Sequence, residues 1–328
     1  MSATVTDRPS SSDGPQATTP KPRKARGANA RETYIPYLLI IPAALVMVGV
    51  LGYPLYNLID LAFKNVNSYV LLSMPTMVKY IGFDGFTTVL GSGEFWQVVW
   101  RTVIFTAEVV VASMAISLAM AALLQRVSSW VKVTVVTVLM FVWAIPAIVT
   151  GTVFRWIFAN TGGVADYIVY LFGGGRKWLN HDWFANQSTG LYFVCAVAVV
   201  WGALPFLVIG LNAAMTQVPK ELIEASKIDG ASPWQSFRHV TIPVIRPFLI
   251  LSAALSFIWD FQCFGQIWSL RQNSPEPGYR VMGIYLYMQG FASSHYSRSS
   301  VISISMILLM LAVLVFYIRQ VIKIGEQD

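Results

Sequence analysis

The chain has 328 residues, of which 55% are hydrophobic and only 12% are charged, and its mean hydropathy is +0.59. A soluble domain carries about 25% charged residues. The composition therefore excludes an ordinary soluble protein, and apolar runs long enough to cross a bilayer indicate a polytopic membrane protein. We attribute the net charge of +7 to membrane orientation and not to nucleic-acid binding.

The first 33 residues are rich in Ser, Thr, Pro and Gly and carry few apolar side chains. Such a segment cannot bury enough surface to fold. We predict a disordered, basic cytoplasmic tail over residues 1–33, followed by an uncleaved first membrane span. Its basic cluster consists of Lys21, Arg23, Lys24, Arg26 and Arg31.

Six apolar runs follow the tail, and each is about the 20 residues that a membrane span needs. Runs of this length must be helices, because only helices satisfy their own backbone hydrogen bonds in lipid. The fold class is therefore all-α, with a six-helix transmembrane domain over residues 34–328. The predicted spans are residues 36–62, 97–124, 133–158, 190–215, 248–268 and 301–322.

The distribution of Lys and Arg predicts the orientation of these spans. Six spans place both termini on the same side of the membrane. That side holds the basic tail, the turn near Arg126 and Lys132, and the polar segment 216–247, and it carries more basic residues than the opposite side. Cytoplasmic loops are enriched in Lys and Arg, so we expect both termini and segment 216–247 to be cytoplasmic.

Segment 216–247 has the signals of two short helices separated by a turn. Gly230 follows an apolar pattern of period three, where a left-handed residue commonly ends a helix. The sequence SPWQ at 232–235 fits an N-cap, a first-turn proline and the third position of a capping box. Pro243 and Pro247 are expected to break or bend the chain before the fifth span.

The spacing within this segment resembles the EAA signature of permease subunits of binding-protein-dependent ABC importers. That signature has Glu-Ala-Ala, three residues, Gly, nine residues and then Ile-x-Leu-Pro. Here EAS at 224–226 is followed by Gly230 and by VTIP at 240–243. Residues 101–106, 140–168 and 201–231 are also similar to the sugar-importer branch, whose best-known member is the maltose-transporter permease.

The resemblance implies the fold and cytoplasmic helix-turn-helix coupling segment of a type I importer permease in a bacterial inner membrane. It also implies four kinds of partner: a second permease subunit forming a heterodimer, two ATP-binding subunits, an extracytoplasmic solute-binding protein and the lipid bilayer. ATP and Mg²⁺ would bind the ATPase, because no Gly-Lys pair occurs here and a P-loop is impossible. No enzymatic activity, bound cofactor or metal is expected of this chain.

The resemblance further implies roles for five residues of the coupling segment. Glu224 and Asp229 would make polar contacts with the ATPase, Ala225 and Ala231 would allow close approach, and Gly230 would form the turn. The chain departs from the family at Arg101, where many relatives have Asn, and in the outer loop RQNSPEPG after the fifth span.

The cargo is expected to be a mono- or oligosaccharide, which proteins bind with aromatic faces and a few fixed polar groups. Aromatic and polar residues near prolines or within spans are the candidates for this role. The predicted pathway residues are Trp143, Trp201, Phe206, Asp260, Gln262 and Gln266. Helix packing is the alternative explanation for each of them, and Glu108 and Arg155 are interpreted as structural charges.

Three other functions remain open at this point. A related permease could carry glycerol phosphate or a polyol, although a phosphorylated cargo would favour basic groups on the path. An ion-coupled secondary transporter would show paired half-repeats and several intramembrane carboxylates, whereas only Glu108 and Asp260 are clear mid-span acids. A membrane-embedded enzyme would need a catalytic cluster, and the three histidines lie far apart in the sequence.

Overall fold

A computed structural model describes residues 30–184, 190–273 and 275–325. The prediction of a disordered tail falls mostly outside the described residues, and helix starts at Ala30, before the predicted end of the tail at residue 33. The described residues divide into two compact units, with the boundary between Leu55 and Tyr56. The described residues form helices and turns, with one isolated antiparallel bridge between Lys64 and Tyr80.

The described part of the chain contains fifteen α-helices. They are α1 Ala30–Met47, α2 Tyr53–Ala62, α3 Tyr69–Ser73, α4 Asp84–Leu90, α5 Gly93–Leu124, α6 Ser129–Trp143, α7 Ala147–Ile157, α8 Val164–Val169, α9 Gly190–Thr216, α10 Lys220–Ile228, α11 Pro233–Ser236, α12 Ile242–Phe261, α13 Gly265–Leu270, α14 Met282–Tyr287 and α15 Tyr296–Gly325. Wider π-helical turns occupy Val48–Gly52, Tyr170–Gly174, Phe237–Thr241 and Met288–Ala292. Short 3₁₀ turns occupy Pro75–Met77, Arg176–Trp178 and Pro277–Tyr279.

The predicted all-α membrane architecture is confirmed. Five helices are long and apolar enough to cross a bilayer, and one bent helix pair supplies the sixth candidate span. The five are Leu39–Ala62, Gly93–Leu124, Tyr192–Thr216, Pro233–Phe261 and Tyr296–Gln320. In the first unit, the α1 side chains from Leu39 onward are exposed, as expected for an apolar helix that lies in lipid.

The third predicted span, residues 133–158, corresponds to a pair of helices with a break between them. Helix α6 ends at Trp143, α7 begins at Ala147, and the two are bent by 103°. Pro146 lies at the break with φ −59° and ψ 141°. It has no N–H to offer the preceding turn, and its ring disfavours a helical conformation in the residue before it. The consequence is a break in the helix and not a mild bend.

The fifth span also differs from the prediction of 248–268. One helix runs from Pro233 to Phe261, so Pro243 and Pro247 do not separate the coupling segment from the membrane. The π-helical turn Phe237–Thr241 precedes both prolines, and the Ile242 N–H donates to the Phe237 carbonyl. A wider turn re-pairs backbone groups around a proline, which explains why the helix continues.

The core of the second unit lies where α5 packs against α9. Along α5, Ser113, Ser117 and Ala121 recur every four residues and are fully buried. Small side chains at this spacing let two membrane helices approach closely. The larger Phe105 and Val109 fill the same interface nearer the N-terminal end of α5. Both candidate functional regions of the second unit pack against this helix pair.

Candidate functional site

A cavity of about 260 Å³ lies between α6, α7, α9, α12 and α13, and we call it the membrane cavity. Four of the six predicted pathway residues line it: Trp143, Phe206, Asp260 and Gln266. These side chains come from the end of α6, the middle of α9, the last turn of α12 and the start of α13. The fold therefore brings together residues that are up to 123 positions apart in the sequence.

Breaks in the helices position several of these residues. The α6–α7 break leaves Trp143 at a helix end, and the α12–α13 break places Asp260 and Gln266 on either side of a short non-helical stretch. Helices α7 and α13 approach so closely that a Cβ built on Gly151 would overlap Ser269 Oγ and lie 2.5 Å from the Gln266 carbonyl oxygen. Only glycine permits this contact, which closes one wall of the cavity.

The polar groups of the membrane cavity suit a neutral, hydroxyl-rich ligand. Asp260 is 7% exposed, and one carboxylate oxygen accepts a 2.8 Å hydrogen bond from the Ser256 hydroxyl. No other described residue forms an ion pair with Asp260. The Gln266 amide oxygen lies 3.5 Å from the Cys263 thiol. A carboxylate has about four lone-pair sites, so Asp260 retains capacity for ligand hydroxyls.

Two predicted pathway residues do not line the membrane cavity. Trp201 packs edge-on to Phe154, with ring centroids 5.7 Å apart, within the core around α9. Gln262 is exposed, and its amide donates to the Ile258 carbonyl at 3.2 Å. For both residues, this geometry favours the alternative of a structural role.

Sequence reasoning also missed lining residues, of which Trp259 is the most prominent. Its ring centroid lies 4.9 Å from that of Phe206, and together with Trp143 it gives the cavity a third aromatic side chain. For helix α9, the spacing in the sequence already indicates that Trp201 and Phe206 cannot both line the cavity. They are five positions apart, so their side chains face about 140° away from each other. Gly202 and Phe206 share one face instead.

The second candidate region is the predicted coupling segment, residues 216–247. Helix α10 ends in a Schellman motif: the Ala231 N–H donates to the Ser226 carbonyl at 2.9 Å, and the Gly230 N–H donates to the Lys227 carbonyl at 3.1 Å. Gly230 has φ +80°, the left-handed conformation that this motif requires. The predicted end of the helix and the role of Gly230 in the turn both match the geometry.

The capping box that opens the second helix is present as predicted. The Gln235 N–H donates to Ser232 Oγ, and the Ser232 N–H donates to Gln235 Oε1. The two helices are also joined by a 2.6 Å hydrogen bond between the hydroxyls of Ser226 and Ser236. Ser226, which departs from the Ala of the EAA signature, therefore has a local function. The result is a rigid helix-turn-helix.

The five predicted coupling residues are close in sequence and largely accessible. Glu224, Ala225, Asp229 and Gly230 are exposed, and Ala231 is half-buried. A Cβ built on Gly230 would meet nothing within 4 Å, so this chain itself leaves space around the turn. Such a surface can accept another protein without rearranging its own backbone.

Hydrogen bonds fix the loops at the end of the bundle opposite segment 216–247. Arg101 donates from Nη1 to the Pro277 carbonyl at 2.7 Å and to the Arg280 carbonyl at 3.2 Å. Partial burial acts to raise the pKa of Glu276, but hydrogen bonds from Arg271 outweigh it, and the pKa lies below its ordinary value. The departure at Arg101 thus has a structural explanation.

The two charges interpreted as structural have different surroundings. Arg155 faces the side-chain amide of Gln272, whose oxygen can accept from its guanidinium. Glu108 is exposed on α5, and it lines a wide depression together with Trp100 and Arg101. Arg155 therefore has a structural partner among the described residues.

Comparison with known proteins places the chain in a family. The sequence profile of the family described as "Binding-protein-dependent transport system inner membrane component" matches residues 113–323. The chain belongs to this family. It is therefore a multi-pass transport component of an inner-membrane system, and a secondary transporter or a membrane-embedded enzyme is not supported.

The chain is similar to several curated relatives. It is 34% identical over 305 residues to the diacetylchitobiose uptake system permease protein DasB of Streptomyces coelicolor, and the match covers 93% of this chain and 92% of the relative. It is 27% identical to the arabinooligosaccharides transport system permease protein AraP of Bacillus subtilis, covering 90% and 92%. It is 26% identical to the trehalose transport system permease protein SugA of Mycobacterium tuberculosis, covering 81% and 82%.

The fold of this family member also matches a solved structure. A chain in the crystal structure of a bacterial ABC transporter that imports the acidic polysaccharide alginate superposes with a TM-score of 0.73. The match covers 89% of this chain and 96% of that chain, at 18% identity. At this level of identity the similarity establishes the fold, which is that of an ABC importer permease.

Proposed function

We propose that this chain is the permease subunit of an ATP-driven importer and that it translocates a mono- or oligosaccharide through the membrane cavity. An extracytoplasmic binding protein delivers the sugar, a second permease completes the passage, and two partner ATPases bind ATP and Mg²⁺. The observation that carries the proposal is the grouping of Trp143, Phe206 and Trp259 with Asp260 and Gln266 in one cavity.

The chemistry of the cavity supports a sugar over a phosphorylated cargo. Saccharides are held by aromatic faces and by a small number of placed hydrogen-bonding groups. No Lys or Arg is among the described residues that line the cavity, whereas phosphate recognition favours Arg or Lys. The names of three relatives, which refer to diacetylchitobiose, arabinooligosaccharides and trehalose, also support a saccharide.

We further propose that segment 216–247 faces the cytoplasm and docks on the ATPase. In this arrangement Glu224 and Asp229 contact the partner, Ala225 and Ala231 allow it to approach, and Gly230 forms the turn. The exposure of four of these residues and the rigidity of the helix-turn-helix support the assignment. Both termini are cytoplasmic in the same arrangement, in agreement with the Lys and Arg distribution.

Uptake by the complete transport system tests the cargo proposal. The ligand is first identified by screening saccharides against the cognate binding protein. Asp260→Asn, Gln266→Ala and Trp143→Ala are then compared with the unmodified chain by uptake of the radiolabelled sugar. Each change removes one contact worth about 1 kcal/mol, so we expect a roughly fivefold to tenfold loss of uptake.

Gln262→Ala is the matched control, because Gln262 is a nearby amide that lies outside the cavity. It should leave uptake within about twofold of the unmodified value, on the scale of an exposed substitution. Equal uptake in all four variants, at equal membrane abundance, would show that the cavity is not on the sugar path. A binding protein that selects a phosphorylated ligand would overturn the saccharide assignment.

A further inference from the structure

A second cavity lies beside the helix-turn-helix, and of the proposed pathway and coupling residues only Ala231 lines it. It has a volume of about 740 Å³, and we call it the basic groove. Its floor is apolar and its rim is basic. Six of the lining residues define it: Ala122, Arg126, Met215, Lys220, Ile223 and Lys227.

The ends of the candidate spans indicate that the basic groove lies near a membrane surface. Three candidate spans end or begin at its walls: Gly93–Leu124, Tyr192–Thr216 and Pro233–Phe261. Trp130 and Trp234 are 77% and 66% exposed near the same ends, and exposed Trp side chains are enriched at membrane interfaces. This placement holds whichever side of the membrane the segment faces.

The charges around the groove are of one sign. Arg126, Lys220 and Lys227 are exposed, and none forms an ion pair within the described part of the chain. No Asp or Glu is among its described lining residues. Glu221 and Glu224 belong to the same helix α10, but neither lines the groove. The groove therefore presents three unneutralised cations above an apolar floor.

We propose that the basic groove binds one anionic phospholipid of the adjoining leaflet. The phosphate would lie among Arg126, Lys220 and Lys227, and the upper acyl chains would cover the apolar floor around Met215 and Ile223. Basic pockets between membrane helices bind anionic headgroups in this way. The chain's own first 33 residues are basic, so they are repelled from this rim and are an unsuitable occupant.

Lipid binding is measured on the assembled transporter by native mass spectrometry, with phosphatidylglycerol and phosphatidylcholine as the probes. The test variant is the triple change Arg126→Gln, Lys220→Gln and Lys227→Gln. Each cation near an anionic headgroup contributes about a fivefold factor, so the triple variant should bind phosphatidylglycerol about 100-fold more weakly. Phosphatidylcholine binding should change little, because it carries no net charge.

Two comparison variants separate the proposal from a general loss of charge. Lys132→Gln, Arg238→Gln and Arg246→Gln removes three charges from the same side of the spans but not from the groove, and it should retain phosphatidylglycerol. Arg126→Lys, Lys220→Arg and Lys227→Arg keeps the charges and should also retain it. Unchanged phosphatidylglycerol binding in the test variant would overturn the proposal. Loss of ATPase assembly with unchanged lipid binding would assign the three cations to a protein interface instead.

Discussion

Replacement of Gly230 distinguishes two reasons for a glycine in the coupling turn. A non-glycine residue held at φ +80° costs about 1–2 kcal/mol, and Asn tolerates this conformation better than a β-branched residue does. That cost is small beside a typical stability of about 5–15 kcal/mol. The Schellman bonds at 2.9 and 3.1 Å also remain available. We therefore expect Gly230→Val and Gly230→Asn to fold and to reach the membrane.

The two variants should nevertheless lose uptake, because a new side chain would project into the space that the ATPase would occupy in the proposed docking. A Cβ at this position meets nothing within 4 Å in this chain, so any steric conflict must come from a partner. The assay is sugar uptake in cells, with membrane abundance measured by immunoblot and ATPase assembly by co-purification. Normal uptake by Gly230→Asn would refute a close approach of the ATPase to Gly230. The left-handed backbone conformation at this position would then be the only reason for the glycine. Normal uptake by both variants would contradict the assignment of Gly230 to the coupling with the ATPase.

Three further predictions concern stability, measured by thermal unfolding of the purified transporter. Gly151→Ala should destabilise by about 1–3 kcal/mol through overpacking, whereas Gly93→Ala, whose Cβ meets nothing within 4 Å, should not; equal unfolding temperatures would contradict the close α7–α13 contact. Ser226→Ala should cost about 1 kcal/mol by leaving the buried Ser236 hydroxyl unpaired, and the double alanine variant should recover part of it; a double variant less stable than the single one would argue against this pairing. The pKa of Glu276 is lowered on folding, so its carboxylate stabilises the folded state at pH values above its unfolded pKa of 4.5, and this stabilisation is lost as the pH falls through the folded pKa. Glu276→Gln should therefore lower the unfolding temperature at neutral pH but not well below pH 4.5. An equal lowering of the unfolding temperature at both pH values would refute the charge effect.

The features that were predictable from the sequence depend on local signals. The fourth span was predicted as 190–215 and is Gly190–Thr216, because a long apolar run has only one low-energy conformation in lipid. The Gly230 turn and the capping box were predictable because each rests on a few adjacent residues. The function was predicted from the resemblance to the EAA signature. The Gly230 turn and the capping box then explain, in physical terms, why residues of that signature have this spacing.

The membrane cavity was only partly predictable because it depends on which face of each helix is turned inward. Within a uniformly apolar span, hydrophobicity does not distinguish the lipid-facing side from the packed side. Trp201 was therefore predicted to line the pathway and Trp259 was not, yet Trp201 packs on Phe154 and Trp259 lines the cavity. The angle between Trp201 and Phe206 on one helix shows that both cannot face the same space.

The continuous helix Pro233–Phe261 gives the proposed coupling a physical route. Its first turn adjoins Gly230 and carries the capping box, and Asp260 in its last turn lines the membrane cavity. At 1.5 Å per residue, the distance from Trp234 to Asp260 along the helix is about 39 Å. A break at Pro243, as expected from the sequence, would have let the two ends move independently. Because the π-helical turn preserves the helix, a rotation of the helix-turn-helix by the ATPase would also move the Asp260 carboxylate. In the proposed transport cycle, Ser256, Trp259 and Asp260, which line the cavity from this helix, would thus be the cavity residues that respond most directly to the ATPase.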